Sequence, residues 1–313
     1  MKKNHMYETY MAQAGLLLQI LPLIKNYSRL SLKGGTALNF FIHDFPRLSV
    51  DIDLAYTQID DRNETLSYIT ESMEDLSRQV ERRFPGTRVQ RKRLSNGYIK
   101  GLVIRSKDAS IKIEPNLVIR GTVYSGELKP LASKVQTLFQ AELDFPIISV
   151  PDLYGGKICA ALDRQHPRDL FDIRLMFDTF GFTREIKTAF LVYLISHPRP
   201  IAEVLNPNLQ DLKTIYEQEF KSMTREDVSL KDLEKTRIRL IRAIHGSLEQ
   251  KDKDFLLSLK SENPHWDLLP IPFVKDLPAV KWKIINIEKM TKRARSNARF
   301  KLEKVLTEGP DLK

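Results

Sequence analysis

The sequence predicts a mixed protein of the α/β (α+β) class: a sheet with helices over residues 1–180, followed by a mainly helical part over 181–313. Three observations carry this. Residues 32–54 read as strand, Gly-Gly turn, helix and strand. Strands are expected at Tyr98–Arg105 and Ser110–Leu117 after an Asn96-Gly97 hairpin signal, with Ile111 and Ile113 alternating with Lys112 and Glu114. From Phe182 onward the apolar residues fall at helical spacing.

Composition narrows the classes. Across 313 residues, 42% hydrophobic and 29% charged content fits an ordinary globular protein with an ample core. One cysteine, Cys159, excludes an internal disulfide framework and fits a reducing compartment, so the expected location is the cytoplasm. No apolar run is long enough to span a bilayer, and no membrane association is expected. The Leu16–Ile24 stretch is broken by Gln19 and Pro22, which favours an amphipathic helix over a signal peptide. A net charge of +10 favours a polyanionic partner.

In chain order, a leading helix is expected over 4–24, and Tyr27–Lys33 leads into the first strand. Gly34 and Gly35 allow a tight turn and close backbone approach. Thr36 is placed to cap a short helix over Thr36–Asp44, which Pro46 ends. In the strand that follows, Val50, Ile52 and Leu54 face the core. Ser49, Asp51 and Asp53 share the other face, the two carboxylates roughly 6–7 Å apart. Residues 60–84 carry Leu66, Ile69, Met73, Leu76, Val80 and Phe84 at helical spacing. The basic run Arg88–Arg93 reads as a charge-protected sheet edge or as an RNA contact. Leu117–Ile148 is broken by Gly121, Gly126 and Pro130 and is expected to hold one short helix near Leu131–Glu142. Pro151 opens a helix to Asp163, and the Gly155-Gly156 pair inside it implies close packing or ligand approach. A further helix is expected to be capped by Thr224–Asp227 and ended by Gly246. The last helix is expected over about 278–306.

The chemistry-bearing pattern lies in residues 32–54. Two carboxylates this close repel each other unless a cation joins them. Mg²⁺ (or Mn²⁺) suits the position, since it takes oxygen ligands and keeps places for water and phosphate. A Gly-rich turn opening a helix offers N–H groups to phosphate. Metal and phosphate cradle together are what transfer of a nucleotide needs. Against this stands the plainer reading of a solvated strand face. Arg47 suits either a nucleotide phosphate or an ordinary surface ion pair. Glu114, on the strand Ile111-Lys112-Ile113-Glu114, is either a third carboxylate or half of a surface Lys–Glu pair, and Pro115 is unusual for a central strand.

Lys33-Gly34-Gly35-Thr36-Ala37-Leu38 followed by Arg47-Leu48-Ser49-Val50-Asp51-Ile52-Asp53-Leu54 resembles the AbiEii/AbiGii toxin family. A second block, Lys157 to Asp172 (KICAALDRQHPRDLFD), resembles that family's lysine and R-x-x-x-R-D-L-[YF]-D segment. The MenT toxins are similar. The resemblance implies a DNA-polymerase-beta-like fold and a nucleotidyl transferase of a type IV toxin–antitoxin system. It implies an NTP substrate bound through Gly34, Gly35, Thr36, Arg47 and Lys157. Asp51 and Asp53 would hold the metal, with Glu114 as the third acid. Ser49, Lys157 and Asp169 would complete the catalytic set. The implied acceptor is a tRNA 3′ end, with translation blocked as a result, and the implied partner is a cognate AbiEi-type antitoxin. Without the resemblance, Asp169 reads as a residue favouring the start of a helix opened by Pro167, and Asp172 shares its face and could orient a lysine or arginine. His166 has no second His or Cys at metal-ligand spacing, which excludes zinc.

Residues 281–304 hold nine Lys or Arg against two Glu, +7 of the net +10. Lys292, Arg293, Arg295 and Arg299 are close-set and favour contact with RNA over a merely solvated face. Trp282-Lys283 resembles a motif near the C-terminus of the same family, which implies that Trp282 lies in the core. Two rivals to the RNA-directed enzyme are a small-molecule nucleotidyl transferase of the antibiotic-modifying sort and a non-enzymatic partner-binding protein on the same fold.

Overall fold

The computed structural model describes residues 2–261 and 263–311, and side chains from Glu8 onward. The chain divides into two compact units, Met1–Ser149 with Ser222–Glu226, and Val150–Lys221 with Asp227–Lys313.

The first unit opens with α1 (Lys2–Ile24), whose Leu17, Ile20, Leu21 and Ile24 are fully buried. It continues with β1 (Leu30–Lys33) and α2 (Gly34–Ala37), and α2 runs into a π-helical turn over Leu38–Ile42. Then come β2 (Asp51–Tyr56) and α3 (Arg62–Arg83), which starts where the Asp61 side chain accepts from the Asn63 and Glu64 N–H groups. The apolar stripe Leu66, Ile69, Met73, Leu76, Val80 of α3 is buried as its spacing predicts, while Phe84 is only partly covered. The unit closes with β3 (Arg88–Arg93), β4 (Ile99–Arg105), β5 (Ser110–Arg120), β6 (Glu127–Pro130), α4 (Ser133–Phe139) and β7 (Asp144–Ile147).

Among the described residues seven strands form one sheet in the order β3-β4-β5-β2-β1-β7-β6. β2 therefore lies at its centre, antiparallel to β1 and parallel to β5. β3 is the edge strand, and its Arg91 and Arg93 pair with Glu74 of α3, so this run is a charge-protected edge. Pro115 is accommodated in β5 because the β4 ladder ends at Ile113, leaving no partner on that side for the missing N–H.

Several local expectations are corrected. The helix after the glycines begins at Gly34, and Thr36 is an interior residue that caps nothing. The segment from Leu117 to Ile148 holds two short strands besides its helix. Their Pro130 and Pro146 hide the strand pattern, and β7 is fixed by pairing with β1, far away in sequence.

The second unit contains α5 (Val150–Asp163), α6 (Pro167–Thr179), α7 (Arg184–Ser196), α8 (Ile201–Leu205), α9 (Lys213–Glu219), α10 (Leu230–Ser247), α11 (Gln250–Ser258), α12 (Pro278–Glu288) and α13 (Lys292–Glu308). Ser229 caps α10 by accepting from the Asp232 N–H, so Thr224–Asp227 is not its cap, and Gly246 lies inside its last turn. The single final helix is two helices, because Thr291 turns extended and caps α13 by accepting from Ala294 N–H. Trp282 is not core: Ala279, Val280 and Ile287 form the buried face of α12, and Trp282 is 59% exposed on the opposite stripe. The compact first unit ends at Ser149. Packing thus draws its line before α5 and α6, which the motif-based division groups with residues 1–180.

Gly155 explains itself by packing. A Cβ there would lie 2.9 Å from the Ala189 carbonyl carbon and 3.0 Å from the Phe190 nitrogen of α7. Gly156 faces the ring of Tyr193 at 3.3 Å. Because the obstacle at Gly155 is backbone, Gly155→Ala is expected to destabilise by about 1–3 kcal/mol. Gly156→Ala, facing a side chain, should cost less. Paired thermal melts would check the order.

Candidate active site

In the first unit the site is built at the end of β1. Gly34 takes φ of +73°, a left-handed conformation natural to glycine. A Cβ on Gly34 would overlap Asp53 Oδ2 and lie 3.0 Å from Asp53 Cγ. A Cβ on Gly35 would lie 2.8 Å from both Arg47 Nη2 and Ser49 Oγ. The two missing side chains are thus the space that Asp53, Ser49 and Arg47 occupy.

Polar side chains lock this arrangement. The buried Thr36 hydroxyl donates to the Asp51 carbonyl at 2.6 Å and lies 3.1 Å from Ser49 Oγ. Asn39 Nδ2 donates to the Gly35 carbonyl at 2.8 Å. Arg47 is only 4% exposed and donates through Nη1 to the Leu48 carbonyl at 2.8 Å. Its guanidinium is therefore buried against Gly35 and not on the open surface.

Strand register sets the carboxylates. Along β2 the burial alternates, with Ile52 and Leu54 buried and Asp51 and Asp53 half-buried on the other face. In the parallel ladder Asp51 stands beside Lys112 and Asp53 beside Glu114; across the antiparallel ladder Asp53 stands beside Lys33. Cross-strand neighbours share a face. The sheet therefore gathers Asp51, Asp53 and the exposed Glu114 on one side. Among the described residues no three His, Cys, Asp or Glu side chains already converge as a ready metal cluster. The half-buried acid pair is nevertheless the donor set that suits Mg²⁺, which is commonly held by one or two carboxylates with water and substrate phosphate.

The second unit holds Lys157 of α5 and Asp169 of α6. Lys157 Nζ is 3.0 Å from Asp169 Oδ1 and 3.0 Å from Asp172 Oδ2. Arg164 grips Asp169 with two bonds, Nε to Oδ2 at 2.6 Å and Nη2 to Oδ1 at 3.0 Å. Both aspartates are 1% exposed, whereas the Arg164 side chain is 63% exposed. Burial pushes the Asp169 carboxyl upward, but the Lys157 and Arg164 cations outweigh it and hold the group well below the usual carboxylate range. Asp169 is thus ionised and spent on two cations, which suits positioning and not proton transfer. Asp172 does orient the lysine. His166 caps α6 by accepting from the Arg168 N–H at its Nδ1, and burial lowers its pKa. The neutral ring then carries its proton on Nε2, 3.1 Å from Glu219 Oε2.

Reading the sequence alone misses Asn39 and the segment Met223–Arg225. Asn39 is a polar residue inside an apolar run, a signal that was there to find. Met223 accepts from the Leu48 N–H at 2.9 Å, Arg225 N–H donates to the Pro46 carbonyl at 3.1 Å, and Thr224 bridges Arg47. Nothing local in the sequence announces that pairing.

A family model described as nucleotidyl transferase AbiEii toxin of a type IV toxin–antitoxin system matches residues 16–284. Among solved structures the chain is similar to MenT4, a nucleotidyltransferase toxin from Mycobacterium tuberculosis H37Rv, with a TM-score of 0.60 over 94% of this chain and 93% of that one. At 13% identity that likeness speaks for the fold. No curated protein matches significantly.

The buried cluster has a pH signature. Asp169→Asn strips Lys157 and Arg164 of their shared anion and is expected to cost about 3–5 kcal/mol. Because the folded pKa lies below the unfolded value of about 3.9, the contribution of Asp169 is complete above that pH and drains away as pH falls below it. Denaturant titrations from about pH 6 to about pH 3 should show the gap between wild type and Asp169→Asn narrowing with acid.

Proposed function

The chain belongs to the AbiEii nucleotidyl transferase toxin family of type IV toxin–antitoxin systems, and we propose that it transfers a nucleoside monophosphate from an NTP to a hydroxyl of RNA, a tRNA 3′ end, and so blocks translation. The observation that carries the proposal is the acid face of β2 fitted against the side-chain-free Gly34-Gly35 turn.

In this reading Asp51 and Asp53 hold Mg²⁺ or Mn²⁺, with Glu114 the adjacent acid in register. A divalent cation there supplies charge stabilisation to phosphoryl oxygens. The Gly34–Thr36 turn and Arg47 position the phosphates of the NTP, and Ser49 fills the space that fixes Arg47. The acceptor hydroxyl forms a new bond to the α-phosphorus, the bond to the β-phosphate breaks, and pyrophosphate leaves. Glu114 takes the hydroxyl proton, since Asp169 is already committed. Asp169 and Asp172 hold Lys157 and the exposed Arg164 fork to neutralise triphosphate charge. Residues 1–180 form the transferase domain in this division and 181–313 the helical one. Membership of the family implies an antitoxin partner, which we take to be of the AbiEi type. No helix among the described residues is long and apolar enough to cross a membrane, and we place the reaction in the cytoplasm.

The basic α13 would track the acceptor. Lys292, Arg293 and Arg299 are exposed, and so is Phe300. Trp282 on α12 is open, with Lys289 over its ring at 5.9 Å. Cations beside exposed rings suit phosphate contact with base stacking.

The chemistry is tested by incubating the protein with labelled NTP and either total RNA or aminoglycosides, then sequencing RNA 3′ ends. Label is expected on RNA and to vanish with a chelator. Asp51→Asn and Asp53→Asn should each cost about a hundredfold or more. Label on the aminoglycoside alone would overturn the RNA assignment. Separately, replacing Lys292, Arg293 and Arg299 by Gln should weaken RNA binding and flatten its salt dependence, by about 0.7 in log–log slope for each phosphate no longer neutralised. An unchanged slope in filter-binding assays would remove α13 from the acceptor surface.

A further inference from the structure

Within the second unit, the buried Lys260 ammonium meets no acceptor among the described residues. Lys260 lies just past α11, with its backbone N–H bonded to the Leu257 carbonyl at 3.1 Å. It is 8% exposed, and among the described residues no oxygen accepts a hydrogen bond from its ammonium and no carboxylate pairs with it. Burial lowers its pKa. A buried ammonium without a partner is costly, so such groups are paired, neutralised or left facing a ligand.

Lys260 faces a cavity of about 170 Å³ formed by α8, α13 and the end of α11. Ala294 and Ala298, four apart on α13, leave the room. The polar residues that line the cavity besides Lys260 are Asn297, Lys301 and Glu203. Glu203 already meets Arg199 at 3.4 Å. Behind Lys260 lies a further lysine, Lys283, which donates to the His197 and Arg199 carbonyls at 2.7 Å each. Burial first, then the charge of Lys260, brings the Lys283 pKa down to about 8. Two lysines stand against one glutamate in a lining that is otherwise largely apolar, and the cavity is smaller than the usual nucleotide-sized pocket of about 300 Å³ or more.

We infer that this cavity is an oxyanion site that takes a phosphate group, with Lys260 as its buried counter-charge and Asn297 and Lys301 as donors at the rim. The phosphate is either free or the terminal group of a polynucleotide; a nucleoside does not fit inside. The site does not rest on the transferase reading, since it uses none of the residues assigned to NTP or metal.

The test uses the full chain without NTP or divalent metal, at fixed ionic strength. Calorimetric titrations are run with inorganic phosphate, and with a short 5′-phosphorylated oligoribonucleotide against its 5′-hydroxyl twin. Lys260→Met keeps the length of the side chain and removes the charge. The expected result is a phosphate-binding event in wild type that Lys260→Met loses or weakens at least about tenfold, with a melting temperature no lower than wild type. Binding of inorganic phosphate identifies the free anion as ligand; preference for the phosphorylated oligonucleotide that disappears in Lys260→Met identifies the polynucleotide end. If wild type binds neither probe, or Lys260→Met binds both as well as wild type, the proposal is overturned. Should Lys260→Met fail to fold, Asn297→Leu on the exposed rim closes the mouth instead. It should weaken phosphate by about tenfold, and unaltered affinity there is equally fatal.

Discussion

Everything in the first unit's site depends on two absent side chains. Asp53 fills the volume that a Cβ on Gly34 would take, and Arg47 with Ser49 fill that of Gly35. Close approach of backbone to carboxylate and guanidinium is possible only there. It is held by polar locks that cross from turn to strand: Thr36 to the Asp51 carbonyl, and Asn39 to the carbonyl of Gly35 itself. The glycines are therefore more than flexible punctuation. They set how near the acid face of β2 stands to the N–H groups of the turn, which is the distance that any ligand bridging acid, metal and phosphate must match.

The molecule handles its carboxylates in two opposite ways. Asp51, Asp53 and Glu114 share a face that is at least partly open, with Lys33 and Lys112 beside them in register. Carboxylates gathered on one face repel one another, and neighbouring cations relieve that repulsion. Asp169 and Asp172 are sealed in, and with Lys157 and Arg164 they form a cluster whose formal charges cancel. A cancelled, buried cluster cannot take up a metal or a proton cheaply, but it fixes geometry well. What it presents outward is the Arg164 fork, pinned by two bonds to a buried anion. Fixing a planar fork in advance is how an arginine binds phosphate with little loss of side-chain freedom.

How much of this was readable in the sequence follows the range of the forces involved. The period of two in β2, the period of 3.6 in α3 and the glycines that open α2 are local signals, and the acid face, the core stripe and the turn were legible from them. Asp172 could be placed near a lysine because helix spacing put it on the face of Asp169. The strands β6 and β7 were not legible, since each has four residues and a proline, and only pairing with one another and with β1 makes them strands. Trp282 misled for a related reason. The likeness of Trp282-Lys283 to a motif near the family's C-terminus argued for burial, but on α12 the smaller Ala279, Val280 and Ile287 already supply the inward face. Thr36 was misread as a cap because a hydroxyl after two glycines looks like one. Its actual acceptor, a carbonyl fifteen positions along, belongs to tertiary structure.

Arg47 shows why the first unit does not end with its motifs. A guanidinium that is nearly fully buried needs acceptors and a rigid loop around it. The loop here, Phe45 to Leu48, is clamped from outside by residues 223–225: Leu48 donates to Met223, Arg225 donates to Pro46, and Arg225 also lies over the Phe45 ring at 5.1 Å. The short segment Ser222–Glu226 belongs to the first unit although it is flanked on both sides by sequence of the second. The chain thus leaves the helical unit, closes the loop that carries Arg47, and returns. Order at Arg47 is consequently coupled to order at a segment more than a hundred positions later, and a chain cut after Asp172 would keep every motif residue while losing the strap that holds one of them in place.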